Sequence, residues 1–149
     1  MIYLGSDHAG FMLKSRTRKL LDELGSEYVD LGPEKFDAAD DYPDYILPVA
    51  RKVAENRGSR GLIFGGSGQG EAIAANKIKG IRAALYYGGS LDIVMLSRKH
   101  NDSNILSLGA RFISEKEAVR AVKVWLETEF EGGRHKRRIE KIRLFEDGN

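Results

Sequence analysis

Residues 61–71 read GLIFGGSGQGE, an apolar segment followed by a glycine-rich turn and a glutamate. The apolar residues 61–64 predict a buried strand, and the small residues that follow Glu71 predict a helix. A strand, a glycine-rich turn and a helix together form a nest of backbone N–H donors, which binds negative charge. The stretch therefore predicts an α/β fold with an anion site, for a phosphate or for an oxyanion formed during a reaction.

Three known motifs do not fit this loop. A phosphate-binding P-loop needs Lys and then Ser or Thr after its last glycine, where this chain has Glu71 and Ala72. The dinucleotide fingerprint needs a glycine at Glu71, and a nucleophile elbow around Ser67 needs a glycine at Gln69. These mismatches disfavour a nucleotide-binding protein. A carboxylate beside backbone donors suits removal of a proton while a neighbouring oxygen becomes negative.

The rest of the chain alternates apolar segments with amphipathic ones. Strands are predicted at residues 2–6, 27–31, 61–64, 81–86 and 104–108, and helices at 11–24, 42–56, 70–77, 90–100, 114–130 and 133–145. A capping box of Ser114 and Glu117 marks the start of the fifth helix. This order predicts one domain over residues 1–149, a Rossmann-like three-layer α/β/α sandwich whose five-stranded parallel sheet has helices on both faces.

Composition limits the classes of partner. The 149 residues carry a net charge of +2 and include no cysteine. This charge is too small to indicate nucleic acid or a membrane surface, and no apolar run reaches the ~20 residues of a membrane span. The absence of cysteine excludes disulfides and thiolate sites and fits a cytoplasmic protein. The histidines, at positions 8, 100 and 135, lack metal-ligand spacing, so no metal is expected.

Several polar residues directly follow predicted strands. Parallel sheets of this class bind ligands beyond the carboxyl ends of their strands. We therefore expect Asp7, His8, the glycine-rich loop and Arg111 to share one rim. Simpler roles remain open, because Asp7 could be a helix N-cap, Glu71 could serve only the helix dipole, and Ser67 could be an ordinary turn residue.

A basic run at residues 134–141 lies within the last predicted helix, residues 133–145. Such a run is most often a solvated face. Arg134 and Arg138 nevertheless project from one side, and with Arg111 they could clamp a phosphate dianion through bidentate contacts. The run has no interleaved aromatic residues of the kind that bind single-stranded nucleic acid.

Five motifs carry a family resemblance. They are SDHAG at 6–10, DYPDY at 41–45, the glycine-rich loop with AANK at 74–77 and GIRAA at 80–84, HND at 100–102, and GGRH at 132–135. In this order they resemble the type B ribose-5-phosphate isomerases, a family that includes galactose- and allose-6-phosphate isomerases. Many members place a cysteine base where this chain has Gly65. A second subgroup uses a glutamate just after the loop, which Glu71 matches.

The resemblance implies an aldose–ketose isomerase that interconverts ribose 5-phosphate and ribulose 5-phosphate through an enediolate, without a cofactor. It implies Glu71 as the base, Ser67 as a proton carrier between O1 and O2, and Asp7 or His100 as the group that opens the sugar ring. The residues expected to bind substrate are His8, Tyr42, Gly66, Gly68, Gln69, Gly70, Asn101, Arg111, Arg134 and Arg138. The resemblance further implies a homodimer or a dimer of dimers, in which His100 and Asn101 enter the partner's site.

Two other functions remain open at this point. The substrate could be a hexose 6-phosphate such as allose or galactose 6-phosphate, because pocket depth is invisible in a sequence. The chain could also be a non-catalytic subunit that only binds a sugar phosphate, although an intact set of Asp7, Glu71 and His100 argues against that.

Overall fold

The computed structural model describes residues 1–148, which form a five-stranded parallel sheet and six helices. The strands are β1 (Ile2–Ser6), β2 (Tyr28–Asp30), β3 (Arg60–Gly65), β4 (Ala83–Tyr86) and β5 (Ile105–Gly109). The helices are α1 (Phe11–Glu23), α2 (Pro43–Glu55), α3 (Gln69–Ala75), α4 (Leu91–Lys99), α5 (Glu115–Glu127) and α6 (Arg134–Glu146). The predicted fold class is confirmed.

Helices cover both faces of the sheet. On one face, α1, α4 and α5 pack their apolar sides against alternate residues of the strands, around the fully buried Trp125. On the other face, α2 and α3 pack against residues such as Tyr3, Ile63 and Ile105, which point the opposite way from the same strands. Each central strand is apolar on both sides, which explains why the sequence reads as continuous apolar runs there.

The strand order, β2-β1-β3-β5-β4, determines where a ligand can bind. The chain leaves β1 towards β2 on one side and returns to β3 on the other, so the direction of winding reverses between β1 and β3. In sheets of this class, a crevice forms at such a reversal, beyond the carboxyl ends of the strands. The loops after β1 and β3 carry Asp7 and the glycine-rich loop, which therefore flank this crevice.

Two helices end earlier than predicted because side chains elsewhere in the fold fix their ends. α3 stops at Ala75 rather than residue 77, since the Asn76 side chain bonds both the N–H and the carbonyl of Ala83 and so ties this end to β4. α5 stops at Glu127 rather than residue 130. Thr128 is extended there, and its carbonyl accepts a hydrogen bond from Arg98.

The last helix, α6, lies outside the three layers. His135 is its one buried residue within the described chain, while Ile142 and Phe145 are 50% and 82% exposed. Its far end is tied to the loop before β4, where Glu146 accepts a hydrogen bond from the Gly80 N–H. Across residues 1–148, no helix combines the length and apolar character needed to cross a bilayer.

Candidate active site

The carboxylate of Glu71 lies directly against the backbone of Gly65. The Glu71 side chain is buried, with the residue only 4% exposed. A Cβ atom added to Gly65 would come within 2.0 Å of Cδ and Oε1 of Glu71. The carboxylate therefore occupies the space that any side chain at position 65 would fill, and position 65 must be glycine for Glu71 to stay there.

Burial raises the pKa of the Glu71 carboxyl above its ordinary value. The backbone N–H of Glu71 itself acts in the opposite direction, and the negative charge of Asp7 raises the pKa further. The sequence alone does not decide whether the helix N-terminus, which lowers the pKa of Glu71, or burial, which raises it, has the larger effect. In the structure, the effect of burial is the larger one. A carboxylate shifted towards neutrality is better suited to take and return a proton than an ordinary glutamate.

The glycine-rich loop presents backbone donors beside this carboxylate. Within residues 1–148, the N–H groups of Gly66, Ser67 and Gly68 donate to no protein acceptor. Gly68 has a φ of +76°, a left-handed conformation that favours glycine and turns the chain into α3. Ser107 on β5 donates to the Gly68 carbonyl at 2.7 Å and so fixes the loop.

At the end of β1, His8 is held by an acidic residue that the sequence did not indicate. Nδ1 of His8 lies 2.7 Å from Oδ1 of Asp40, which also accepts the His8 backbone N–H at 3.1 Å. A histidine whose Nδ1 faces a carboxylate leaves Nε2 free to meet a ligand. Oδ2 of Asp40 is buried and has no partner within the described chain. Asp7 accepts the Gly10 N–H at 2.9 Å in the turn before α1; the N-cap residue of α1 is Gly10 rather than Asp7.

A buried lysine braces the loop that carries Asp40. Lys14 of α1 is 1% exposed, and its ammonium donates to Asp30 at 2.7 Å and to the Pro33 carbonyl at 2.8 Å. Burial lowers the pKa of Lys14, and the contacts to Asp30 counteract this effect. These bonds fix the start of the segment that leads from β2 to Asp40.

Three more expected residues lie at the same rim. The Arg111 side chain lies over Gly66, where an added Cβ would be 3.2 Å from its guanidinium, and the Arg111 N–H donates to the Gly66 carbonyl. The Tyr42 ring lies against Gly70, whose added Cβ would be 2.9 Å from the ring. The exposed Gln69 begins α3, and its N–H donates to the Ser67 hydroxyl at 3.3 Å.

The other expected residues form a second group at the opposite edge of the sheet. His100 ends α4, which runs back from the rim, and the Asn101 carbonyl accepts a hydrogen bond from Arg82, just before β4. His135 stacks on His100 with ring centroids 4.1 Å apart, which brings the start of α6, with Arg134, to this edge. A single chain therefore does not assemble a clamp of Arg111, Arg134 and Arg138.

The structure brings together a cluster of possible metal ligands that the spacing of the histidines in the sequence did not predict. The side chains of His100, Glu131 and His135 place potential metal-ligand atoms within 4.8 Å of one another. Burial lowers the pKa of His135, and the positive charges of Arg134 and Arg138 lower it further. The same positive charges oppose a divalent cation and favour an anion at this edge.

The raised pKa of Glu71 predicts a pH-dependent stability change. The folded state binds a proton more tightly than the unfolded state, so stability falls as pH rises from the ordinary glutamate pKa of about 4.3 through the folded-state pKa. We expect Glu71→Gln to raise the melting temperature at pH 8 and to change it less at pH 4, measured by calorimetry. Glu55 is exposed, so Glu55→Gln is the control. An equal change of melting temperature in both variants at pH 8 would contradict the claim that burying the charged Glu71 carboxylate destabilises the fold.

Comparisons with known proteins identify the family of this chain. The family described as Ribose/Galactose Isomerase matches residues 2–142. Ribose-5-phosphate isomerase B of Mycobacterium tuberculosis is 39% identical over 97% of this chain and 89% of its own. The structure of ribose-5-phosphate isomerase B from Mycoplasma genitalium with bound ribulose-5-phosphate has a TM-score of 0.95 and 42% identity, covering 99% of this chain and 97% of that one. The Clostridium thermocellum ribose-5-phosphate isomerase B structure has a TM-score of 0.90 at 42% identity, with the same coverage of both chains. This chain belongs to the ribose/galactose isomerase family.

Proposed function

We propose that this protein interconverts ribose 5-phosphate and ribulose 5-phosphate, with Glu71 moving a proton between C2 and C1. The observation that carries the proposal is the buried Glu71 carboxylate, with its raised pKa, beside backbone N–H groups that no protein atom accepts. Such a base takes the proton from C2 and returns it at C1 through an enediolate. The names of the relatives and the ribulose-5-phosphate bound in the Mycoplasma structure support this substrate.

The glycine-rich loop stabilises the intermediate in this proposal. As the proton leaves C2, negative charge develops on the sugar oxygen, and the backbone donors of residues 66–70 compensate it without reorganising. The Ser67 hydroxyl moves protons between O1 and O2. Asp7, His8 and Tyr42, at the same rim, bind the sugar hydroxyls.

A second copy of the chain completes the site. His100, Asn101, Arg134 and Arg138 lie at the opposite edge of the sheet from Glu71, so in this proposal they act in the partner's site rather than in their own. The exposed apolar residues Ile142 and Phe145 support α6 as the element that packs on the partner. His100 or Asp7 opens the furanose ring, and Arg134 and Arg138 bind the phosphate together with Arg111 from the other chain.

The proposal extends to the organisation of the protein. Residues 1–149 act as one domain, without metal or organic cofactor, in a homodimer or a dimer of dimers in the cytoplasm. A hexose 6-phosphate remains the alternative substrate, because the matched family includes galactose isomerases. Values of kcat/KM for ribose 5-phosphate and for allose and galactose 6-phosphate distinguish the two.

The contact between Gly65 and Glu71 gives a direct test of the base. Gly65→Ala places a Cβ in the space of the carboxylate and must displace it. We expect kcat for ribose 5-phosphate to fall by about 10²–10⁴-fold, the usual contribution of a positioned base, while circular dichroism shows an intact fold.

Gly66→Ala is the matched control. Its added Cβ meets the flexible end of Arg111 at 3.2 Å rather than Glu71. We expect this variant to raise KM with a smaller change in kcat. A folded Gly65→Ala variant that keeps most of the wild-type kcat would remove Glu71 from the role of base.

Mixing two inactive variants tests the shared site. In a hybrid of Glu71→Gln and His100→Ala chains, one site carries both defects and the other carries none. Random mixing makes half of the dimers hybrids, so about a quarter of wild-type activity should return in a symmetric dimer. Co-refolded mixtures are compared with each variant alone. No recovery, with hybrid dimers confirmed by native mass spectrometry, would mean that both groups act within one chain.

A further inference from the structure

A polar pocket lies at the amino-terminal edge of the sheet, remote from the rim that carries Glu71. Its volume is about 600 Å³, within the range of ~300–1,000 Å³ that is typical of small-molecule sites. The residues that line it come from the end of α2 and the start of β3, from the turn before β4, and from the end of α4 and the turn before β5. Among them are four arginines and a single acidic residue: Arg57, Arg60, Arg82, Arg98 and Asp102. We call this cavity the arginine pocket; four positive side chains against one carboxylate give its lining a net charge of +3.

Two of these arginines already share the carboxylate. Arg98 is buried and donates to Oδ1 of Asp102 at 2.8 Å, and also to the Ser103 carbonyl. Arg82 donates to the Asp102 carbonyl at 2.8 Å and to its Oδ2 at 3.1 Å. Arg82 and Arg98 thus both bond to Asp102, which forms no hydrogen bond with Arg57 or Arg60 within residues 1–148.

The remaining arginines keep free donors. Nη1 of Arg60 donates to the carbonyls of Trp125 and Leu126, whereas its Nε and Nη2 donate to no acceptor within residues 1–148. Arg57 is exposed and forms no ion pair in the same part of the chain. Burial lowers the pKa of Arg60, and repulsion by Arg98 lowers it further. Glu129 and Asp102 act more weakly in the opposite direction. The residues that line this pocket do not neutralise its positive charge.

We propose that the arginine pocket binds a small phosphate-bearing anion, held by Arg57 and the free donors of Arg60. The planar fork of a guanidinium matches two phosphate oxygens at once. A multiply charged phosphate compensates a lining of +3 better than a single carboxylate does. Because the cavity is lined mainly by charged and polar groups, an apolar ligand gains little there.

The arginine pocket also touches the turn that holds His100 and Asn101. Asp102 directly follows these residues, has a φ of +44°, and is fixed by Arg82 and Arg98. These two arginines also line the pocket, so the negative charge of an anion held by Arg57 and Arg60 would attract them away from Asp102. Occupancy therefore competes with the bonds that fix this turn. Any effect of the anion on turnover rests on the function proposed above for His100 and Asn101, whereas the binding itself does not.

The single tryptophan reports on binding. Trp125 is the only tryptophan of the chain, and the guanidinium carbons of Arg60 and Arg98 lie 5.5 and 5.8 Å from its ring centroid. We expect inorganic pyrophosphate to change its fluorescence in a saturable way. Arg57→Glu should raise the dissociation constant at least ~tenfold. Arg51→Glu, which makes the same charge change on an exposed residue of α2 outside the pocket, should leave the constant unchanged.

Variants at the proposed substrate site test whether pyrophosphate binds in the arginine pocket or at the proposed phosphate clamp. Arg111→Ala and Arg138→Ala should leave the fluorescence titration unchanged, because neither residue lines the arginine pocket. A wild-type protein without a saturable change would overturn the proposal. So would equal binding by Arg57→Glu and Arg51→Glu, or loss of binding in Arg111→Ala or Arg138→Ala.

The effect of the bound anion on turnover is measured separately from its binding. At saturating ribose 5-phosphate, pyrophosphate should change kcat of the wild-type protein and leave that of Arg57→Glu unaltered. An unchanged wild-type kcat, or equal changes in both proteins, would overturn the link to His100 and Asn101. If the protein does not isomerise ribose 5-phosphate at all, the fluorescence titration still decides whether the pocket binds the anion.

Discussion

The carboxylate of Glu71 and a side chain at position 65 cannot occupy the same space, and the proposed chemistry depends on this exclusion. Because Gly65 has no Cβ, the carboxylate packs against its Cα at the end of β3. Any side chain at position 65, a cysteine included, would displace the carboxylate from this space. The same packing explains the raised pKa, since the space that receives the carboxylate is buried among strand ends.

The sheet determines what surrounds that carboxylate. β1 and β3 are neighbours, so Asp7 follows one strand and the glycine-rich loop follows the other, and the charge of Asp7 raises the pKa of Glu71. The same sheet separates His100 from them, because α4 carries the chain back to the opposite edge. In the proposed dimer, each chain would therefore contribute Glu71 to one site and His100 to the other.

Most of the fold and the common rim could be predicted from the sequence, because they depend on residues that are close together along the chain. The alternation of apolar runs and amphipathic segments predicted the parallel sheet, and the position of Asp7, Gly66 and Arg111 after strands predicted their common rim. What the sequence could not predict depends on distant contacts. Asp40 contacts His8, which is 32 positions away, and Ser107 fixes the loop at Gly68, which is 39 positions away. His135 of α6 stacks on His100 at the end of α4. The ends of α3 and α5 likewise depend on bonds from Asn76 and Arg98.

Exchange of hydrogen between solvent and sugar tests the role of Glu71 most directly. In deuterated water, the wild-type protein should introduce deuterium at C1 of ribulose 5-phosphate, because the proton held by the base exchanges with solvent before it is returned. We expect folded Glu71→Gln to lose this exchange by about 10²-fold or more, measured by NMR of the product. Exchange by Glu71→Gln at the wild-type rate would contradict the account.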